Sequence, residues 1–335
     1  MAFTISATST PSIQCRCSTR LAGCFLLFCV NQLLAAPIGL STRDQNPILQ
    51  GYYLPSINLT SGQGWQFTHT AYITNTFHNN QTGKETLILD VENYRYDLFV
   101  AYQRNNWRLG ATMPLIVNDG GQLDSAIEGW HDLFGLPQGG RSAQPRNQVN
   151  ITYIRDGQTF LRQTRASNAT GDLAVSLSYL LANTGSSAGD VSFAIDLPTG
   201  SSDNNSGNEA IDLALWLSQS YTLQDQSYLY GLFGISMLGK GGQLASLQKS
   251  TVWAGQLGLG YALYPDRVAI LQLDAHSAII GGSHLRALGN SCQIQIGLRL
   301  KRFFEKRTVD LFFSEDILAG SAPDITFGIR IYQAE

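Results

Sequence analysis

Charge is what this chain has least of. Only 14% of its 335 residues are Asp, Glu, Lys or Arg, against roughly 25% in an average globular protein. Disordered chains combine high charge with few aromatics, whereas aromatics here reach 10%, so wholesale disorder is excluded. Long apolar runs are missing as well. No stretch of 18 apolar residues occurs beyond the N-terminal region, which excludes a bundle of membrane-crossing helices. There is no basic cluster, and 22 Lys and Arg stand against 25 Asp and Glu, so nucleic acid is not an expected partner. Cys15, Cys17, Cys24 and Cys29 crowd the first 36 residues and leave Cys292 alone in the rest. One cysteine makes neither an internal disulfide nor a multi-cysteine zinc site, and no metal or cofactor is implied.

What is present begins with an export signal. Residues 1–36 contain no acid, and Arg16 and Arg20 precede an apolar stretch from Leu21 to Leu34 that ends in Ala35 and Ala36. Basic head, apolar middle and small-residue cleavage site are the order of a secretory signal. Pro37 disfavours a cut directly before it, so residues 1–35 are expected to be removed. Leu21-Ala22-Gly23-Cys24 looks like a lipobox but opens the apolar run instead of closing it. Residues 36–64 show no alternation and are expected to be a periplasmic lead-in.

From residue 65 onward apolar and polar residues alternate with period two, the signal of strands with one face in each of two environments. In 292–301, Ile294, Ile296, Leu298 and Leu300 share one face while Gln293, Gln295, Arg299 and Lys301 share the other. The same pattern recurs at 65–78, 86–103, 106–117, 171–182, 191–197, 210–222, 227–238, 250–263, 267–279, 307–317 and 325–332. Many of these twelve strands run past the roughly 5–6 residues of soluble proteins and match the roughly 9–11 of a tilted membrane-crossing strand. Trp65, Trp107, Tyr221, Tyr228, Trp253, Tyr261, Tyr264 and Tyr332 gather toward strand ends, as in the aromatic girdles of outer-membrane barrels. A soluble β-sandwich also alternates, but long strands and the lack of a cysteine pair disfavour it. The expected fold is all-β, an antiparallel up-and-down transmembrane barrel with 65–335 as its domain.

Short turns at 103–106, 223–226, 264–267 and 303–306 alternate with long connections at 198–209, 239–249 and 280–290, matching short periplasmic turns and longer outer loops. A hairpin around Asp156-Gly157, a strong turn pair, reads as an extension above the membrane; if it crossed, the count would be 14. Two stretches carry a resemblance. One is Pro37-Ile38-Gly39-Leu40-Ser41-Thr42-Arg43-Asp44-Gln45-Asn46-Pro47-Ile48. The other runs from Asn118-Asp119-Gly120-Gly121 through Ile127-Glu128-Gly129-Trp130-His131-Asp132-Leu133-Phe134-Gly135 to Gly139-Gly140-Arg141. With Leu197-Pro198-Thr199-Gly200 and the last strand, they are similar to the bacterial family called domain of unknown function 3187. That resemblance implies an outer-membrane barrel of Gram-negative bacteria and no established activity.

Connection 118–148 is too long for a simple turn, and long structured loops are often functional. Gly120-Gly121 gives a hinge, and Asp124 can cap a helix to about Phe134. Asp124, Glu128, His131 and Asp132 then share a face. Asp119, Asp124, Glu128, His131, Asp132 and Arg141 are the plug or gate candidates, expected to meet inward-facing arginines. The lumen-facing set is Arg95, Asp97, Arg108, Asp196, Asp212, Asp274, His276, Arg299, Asp310 and Arg330. Its mixed sign is unlike a steeply ion-selective pore. His276 and Asp274 share a strand face, but Ser277 points the opposite way, so no nucleophile–base pair forms there. The expected function is a porin-like passive channel for small solutes, plugged or gated by 118–148. The alternatives are a lipid-modifying barrel enzyme using His276 or His131 as base, or a closed scaffold. Expected partners are outer-membrane lipid, the outer-membrane insertion machinery during assembly and a small solute.

Overall fold

The computed structural model describes residues 39–40, 42–57, 62–135, 144–183, 186–223, 226–304, 307–317, 323 and 325–333. The expected signal, 1–35, lies outside them. Alternation becomes fifteen strands among the described residues. They are β1 (Gly64–Thr82), β2 (Glu85–Arg104), β3 (Trp107–Asp119), β4 (Asn150–Arg155), β5 (Gln158–Gln163), β6 (Ser167–Thr170), β7 (Leu173–Asn183) and β8 (Ser187–Leu197). The rest are β9 (Asp212–Thr222), β10 (Tyr228–Met237), β11 (Thr251–Tyr264), β12 (Arg267–His276), β13 (Ser291–Phe304), β14 (Arg307–Asp316) and β15 (Ile325–Gln333). One helix, α1, spans Asp124–Phe134.

Twelve strands close into an antiparallel barrel. Each pairs with its neighbour in the order β1, β2, β3, β7 through β15, and β15 returns to β1 from Thr68↔Tyr332 to Asn75↔Ile325. Closure pairs every edge, which is what a β-chain in lipid requires. The three remaining strands lie at one end: β4 pairs with the far part of β2 (Glu85↔Arg155 to Asp90↔Asn150), β5 with β4, and β6 with the end of β3. The count is therefore 12. Asp156 and Gly157 both take positive φ, 51° and 78°, the geometry of a two-residue hairpin turn that matches strand twist.

Along each barrel strand alternate residues stay exposed on the outside, among them Leu215, Phe233, Leu257, Leu271, Ile296 and Phe327. A continuous apolar belt of this kind is not left bare to water; it is the lipid-facing band of a membrane barrel. Exposed Trp65, Tyr102, Trp107, Tyr179, Tyr261, Tyr264, Phe303 and Phe304 ring the end with the short turns. Trp65 packs on Tyr102 at 5.2 Å, Trp107 on Tyr179 at 4.8 Å and Phe303 on Phe304 at 4.6 Å. Two girdle candidates fall on the other face: Tyr228 and Tyr332 are buried inside. Period two decides this, because each occupies the inward parity of its strand.

β1 and β2 have 19 and 20 residues, about twice what a crossing needs, so their paired ends rise beyond the wall at the end with the long loops. There β4 and β5 extend the sheet over the mouth. Leu87, Leu89, Val91, Ile151, Tyr153 and Leu161 form one apolar cluster with Leu238, Leu244, Ile279, Ile280, Leu285 and Leu288 of the long loops. Arg155 fixes the edge of this lid by donating to the carbonyls of Gly281 and Gly282 at 2.8 and 2.7 Å. Glu85 accepts from the His284 N–H at 2.8 Å and from the Tyr153 hydroxyl at 2.6 Å.

Residues 39–40 and 42–57, expected as part of a periplasmic lead-in, instead lie inside the barrel. They rise along the wall, turn in a short 3-10 segment at Pro47–Leu49 under the lid, and come back down. Leu40, Asn46, Ile48 and Ile57 are 0–1% exposed. The segment lacks alternation because it pairs with no strand; its backbone is met by side chains of the wall.

Candidate functional site: an occupied lumen

The wall presents amides to the segment. Gln272 accepts from the Leu40 N–H and donates to the Leu40 carbonyl, both at 3.1 Å, and also donates to Thr42 and Gln295. Gln256 accepts from the Ile57 N–H at 2.8 Å and donates to the Thr42 carbonyl. Gln272 and Gln295 are directly opposite one another on β12 and β13 and hold the first limb at Leu40 and Thr42, while Gln256, in the adjacent inward row, bonds both limbs. Higher up, Asn46 donates to Ala287 at 2.9 Å, Tyr53 donates its N–H to Asp212 at 3.2 Å, and Gln50 meets Asn93 and Asn118. Asn205 donates to the Pro47 carbonyl. Buried peptide groups without partners are costly, and these contacts supply the partners that a sheet ladder would.

Apolar packing completes the fit. Leu40 and Ile57 join Tyr72, Trp216, Tyr228, Tyr230, Leu232 and Phe312 in a cluster inside the barrel. Gly39 permits it: an added Cβ would overlap Ile57 and the Tyr230 ring. Gly258 and Gly260 likewise leave room for the Tyr230 and Tyr228 rings.

The inward charges pair within the wall. Asp310, wholly buried, accepts from Arg299 Nε and a terminal nitrogen at 2.8 and 2.9 Å, and from Arg330. Arg330 also donates to the Gly39 carbonyl at 2.7 Å, and Arg299 to the Tyr228 hydroxyl at 2.7 Å. Arg108 donates to Asp190 at 3.1 Å and to Ser178 at 3.2 Å. Arg95 meets Asp97 at 2.7 Å. Asp274 accepts from Gln256 at 2.7 Å, and Asp212 from Tyr53, Gly239 and Asn208. His276 does not pair with Asp274: its Nε2 lies 2.9 Å from Asp44 of the segment and its Nδ1 2.9 Å from the Ser277 carbonyl. Both ring nitrogens are engaged.

The described parts of loop 118–148, residues 118–135 and 144–148, are elsewhere. Asp124 and Glu128 are buried, but against the outward face of β1 and β2 rather than in the lumen. Asn75 donates to Asp124 at 3.3 Å, and Glu92 accepts the Gln122 and Leu123 N–H groups at 3.1 and 2.9 Å. An acid at a helix N-terminus is favourable, which is why α1 starts there. Arg146, not an inward arginine, pairs with Glu128. Asp119 and Asp132 are exposed. Arg141 and the side chain of His131 lie outside the described residues. Asn75 and Glu92 carry the outward parity of their strands, and their demand for partners draws the loop to the outside.

The residues that sequence reasoning missed are those of the segment: Thr42, Arg43, Asp44, Asn46 and Gln50. A signal existed. The stretch Thr42-Arg43-Asp44-Gln45-Asn46 is rich in side chains that bond backbone, and Gln256, Gln272 and Gln295 all fall on inward parity.

A closed barrel with a lipid-facing belt and an ordered interior is the architecture of outer-membrane barrel proteins. Within that class the chain belongs to the family described as Protein of unknown function (DUF3187), whose model matches residues 33–331. Among solved structures it is similar to the COG4313 outer membrane channel from Pseudomonas putida F1. Identity is 12%, TM-score 0.53, with 81% of this chain and 96% of that one covered. Matches of lower TM-score, 0.43 and 0.41, are KdgM porin in complex with disordered oligogalacturonate and the P. putida toluene transporter TodX. Their identities are 7% and 10%, with 81% and 87% of this chain and 99% and 93% of theirs covered. No curated protein matches. The first likeness bears on fold alone, and that fold supports placing the chain in the outer membrane, short turns toward the periplasm.

Proposed function

We propose that this protein is a porin-like outer-membrane channel for small solutes whose lumen is occluded by residues 39–57, so that this segment and not loop 118–148 is the plug. The observation that carries the reading is the set of inward glutamines, Gln256, Gln272 and Gln295, which together bond both limbs of the segment. A wall built only to close itself has no use for side chains that bond a separate strand of backbone. Outer-membrane lipid and the insertion machinery remain the expected partners of the barrel.

Planar-bilayer conductance tests this on three forms that each keep the heat-modifiable gel migration of a folded barrel. The intact protein is expected to give small or rare steps. Deleting 39–57 should give large steps that scale with salt, and deleting 121–146 should leave the intact pattern. Opening by the second deletion and not the first would return the gate to loop 118–148. A folded barrel that stays silent in all three forms is a scaffold.

A further inference from the structure

The plug does not satisfy every group that faces it. Its limbs bond to β9, β11 to β13 and β15, and its turn to the upper parts of β2 and β3; lower on β2, β3, β7 and β8 a different set of side chains faces inward. Thr112 is opposite Ala174 and Ala174 opposite Asp196, while Asp97 is opposite Pro114, the next inward position of β3 after Thr112, so Asp97 and Asp196 lie in adjacent inward rows. Arg43 of the plug lies within electrostatic reach of Asp97, Asp196, Arg95 and Tyr72. Arg95 Nε is engaged by Asp97 at 2.7 Å and a terminal nitrogen of Arg43 donates to the Tyr52 carbonyl at 2.8 Å, but three features show that the pairing is incomplete. Arg43 Nε and Arg95 Nη1 are buried and have no hydrogen-bond partner among the described residues. No hydrogen bond among the described residues is recorded for the Asp196 carboxylate, although that residue is only 5% exposed. The Asp97 side chain keeps 13% of its surface accessible although it points into a closed barrel, which leaves room for at least water beside it. Arg43, Thr112 and Ser176 are half-buried in the same region.

Buried polar atoms in native proteins are nearly always bonded, and an exception asks for a missing partner. Two guanidinium groups with unused N–H donors next to two carboxylates, one of them unbonded, are complementary to a molecule carrying both charges. We infer that Arg43, Arg95, Asp97 and Asp196 form a subsite for a small zwitterion of the amino-acid type, its carboxylate on the arginines and its ammonium on the aspartates. Charge-assisted bonds of both signs in a confined space favour the doubly charged ligand over either half alone, because each half leaves one pair of protein charges desolvated without a counterpart. The inference deepens the channel reading by naming a solute class, since that reading supplies the route by which a solute reaches the subsite.

Calorimetric titration of the full-length protein in detergent tests it, with glycine, acetate and methylammonium as probes. Glycine is expected to bind at least 10-fold more tightly than acetate or methylammonium. Asp196→Asn keeps the shape of the side chain and removes its charge; it should weaken glycine at least 10-fold, and Arg43→Gln should do the same. Asp119→Asn, exposed and remote, should change nothing. Acetate binding as well as glycine would make the site an anion site and overturn the inference. So would full glycine affinity in Asp196→Asn, or no binding to the intact protein. The probe series on the intact protein decides the matter even if a variant does not fold. Binding is read without current, so a silent bilayer with a positive titration refutes the channel and keeps the subsite, and the reverse result does the opposite.

Discussion

Asp310 holds two guanidinium groups at once, with Tyr332 beneath Arg330 at 4.8 Å. Replacing it by Asn leaves two buried cations facing each other. Breaking a buried ion pair from one side costs about 3–5 kcal/mol, so Asp310→Asn should lower the unfolding free energy of the refolded barrel by that much, read as a lower urea midpoint at unchanged slope. On the other face, Ile296 is 46% exposed toward lipid. Ile296→Arg should cost about 2–4 kcal/mol if it lies near the midplane, measured by the same unfolding in lipid. A harmless Ile296→Arg contradicts the assignment of belt and lumen. At this scale the sequence specified direction but not partnership. Parity tells which way Arg299 points, whereas nothing local distinguishes Asp310 from an acid of loop 118–148 as its mate.

The lid has a pH dependence that can be worked out from Glu85, above the membrane. Burial pushes its carboxyl up, but the His284 N–H and the hydroxyls of Tyr153 and Ser283 outweigh burial, and the group titrates below the ordinary carboxylate range. Tyr153 is pushed up to about 12 by burial and by Glu85. A carboxylate depressed in the folded state stabilises above its unfolded value, about 4.3, and that stability fades as pH falls through the folded value. The lid is therefore docked at neutral pH and loosens in acid. The amide resonance of His284 should titrate with a midpoint below that of a free Glu. In Glu85→Gln the titration should vanish, and proteolytic nicking at Asp156-Gly157 should quicken at pH 7. Among elements, the twelve barrel strands and the Asp156-Gly157 hairpin were legible because period two and turn chemistry are local. The plug was not. A segment that borrows hydrogen bonds from wall side chains carries no periodicity, and the amphipathicity of α1 does not say which surface it serves.

Taken whole, the molecule is a sheet closed on itself with a polar, crowded interior, and its integrity can be read from one gel. The folded form should migrate differently before and after boiling. The same shift should persist when 39–57 is removed, because β1–β15 closure rests on eight paired positions that do not involve the plug.

Both limbs of the segment end toward the mouth with the short turns: Gly39 is held by Arg330 near the bottom of β15, Ile57 packs beside Gly39, and β1 starts at Gly64 at that same end. A hairpin that enters and leaves by one opening is not threaded. It can be drawn out or pushed in without any strand being unpaired, like a pin through a hinge open at one side. The barrel can close first and be filled afterwards, and a synthetic peptide of residues 37–60 should re-enter a pre-formed barrel that lacks it.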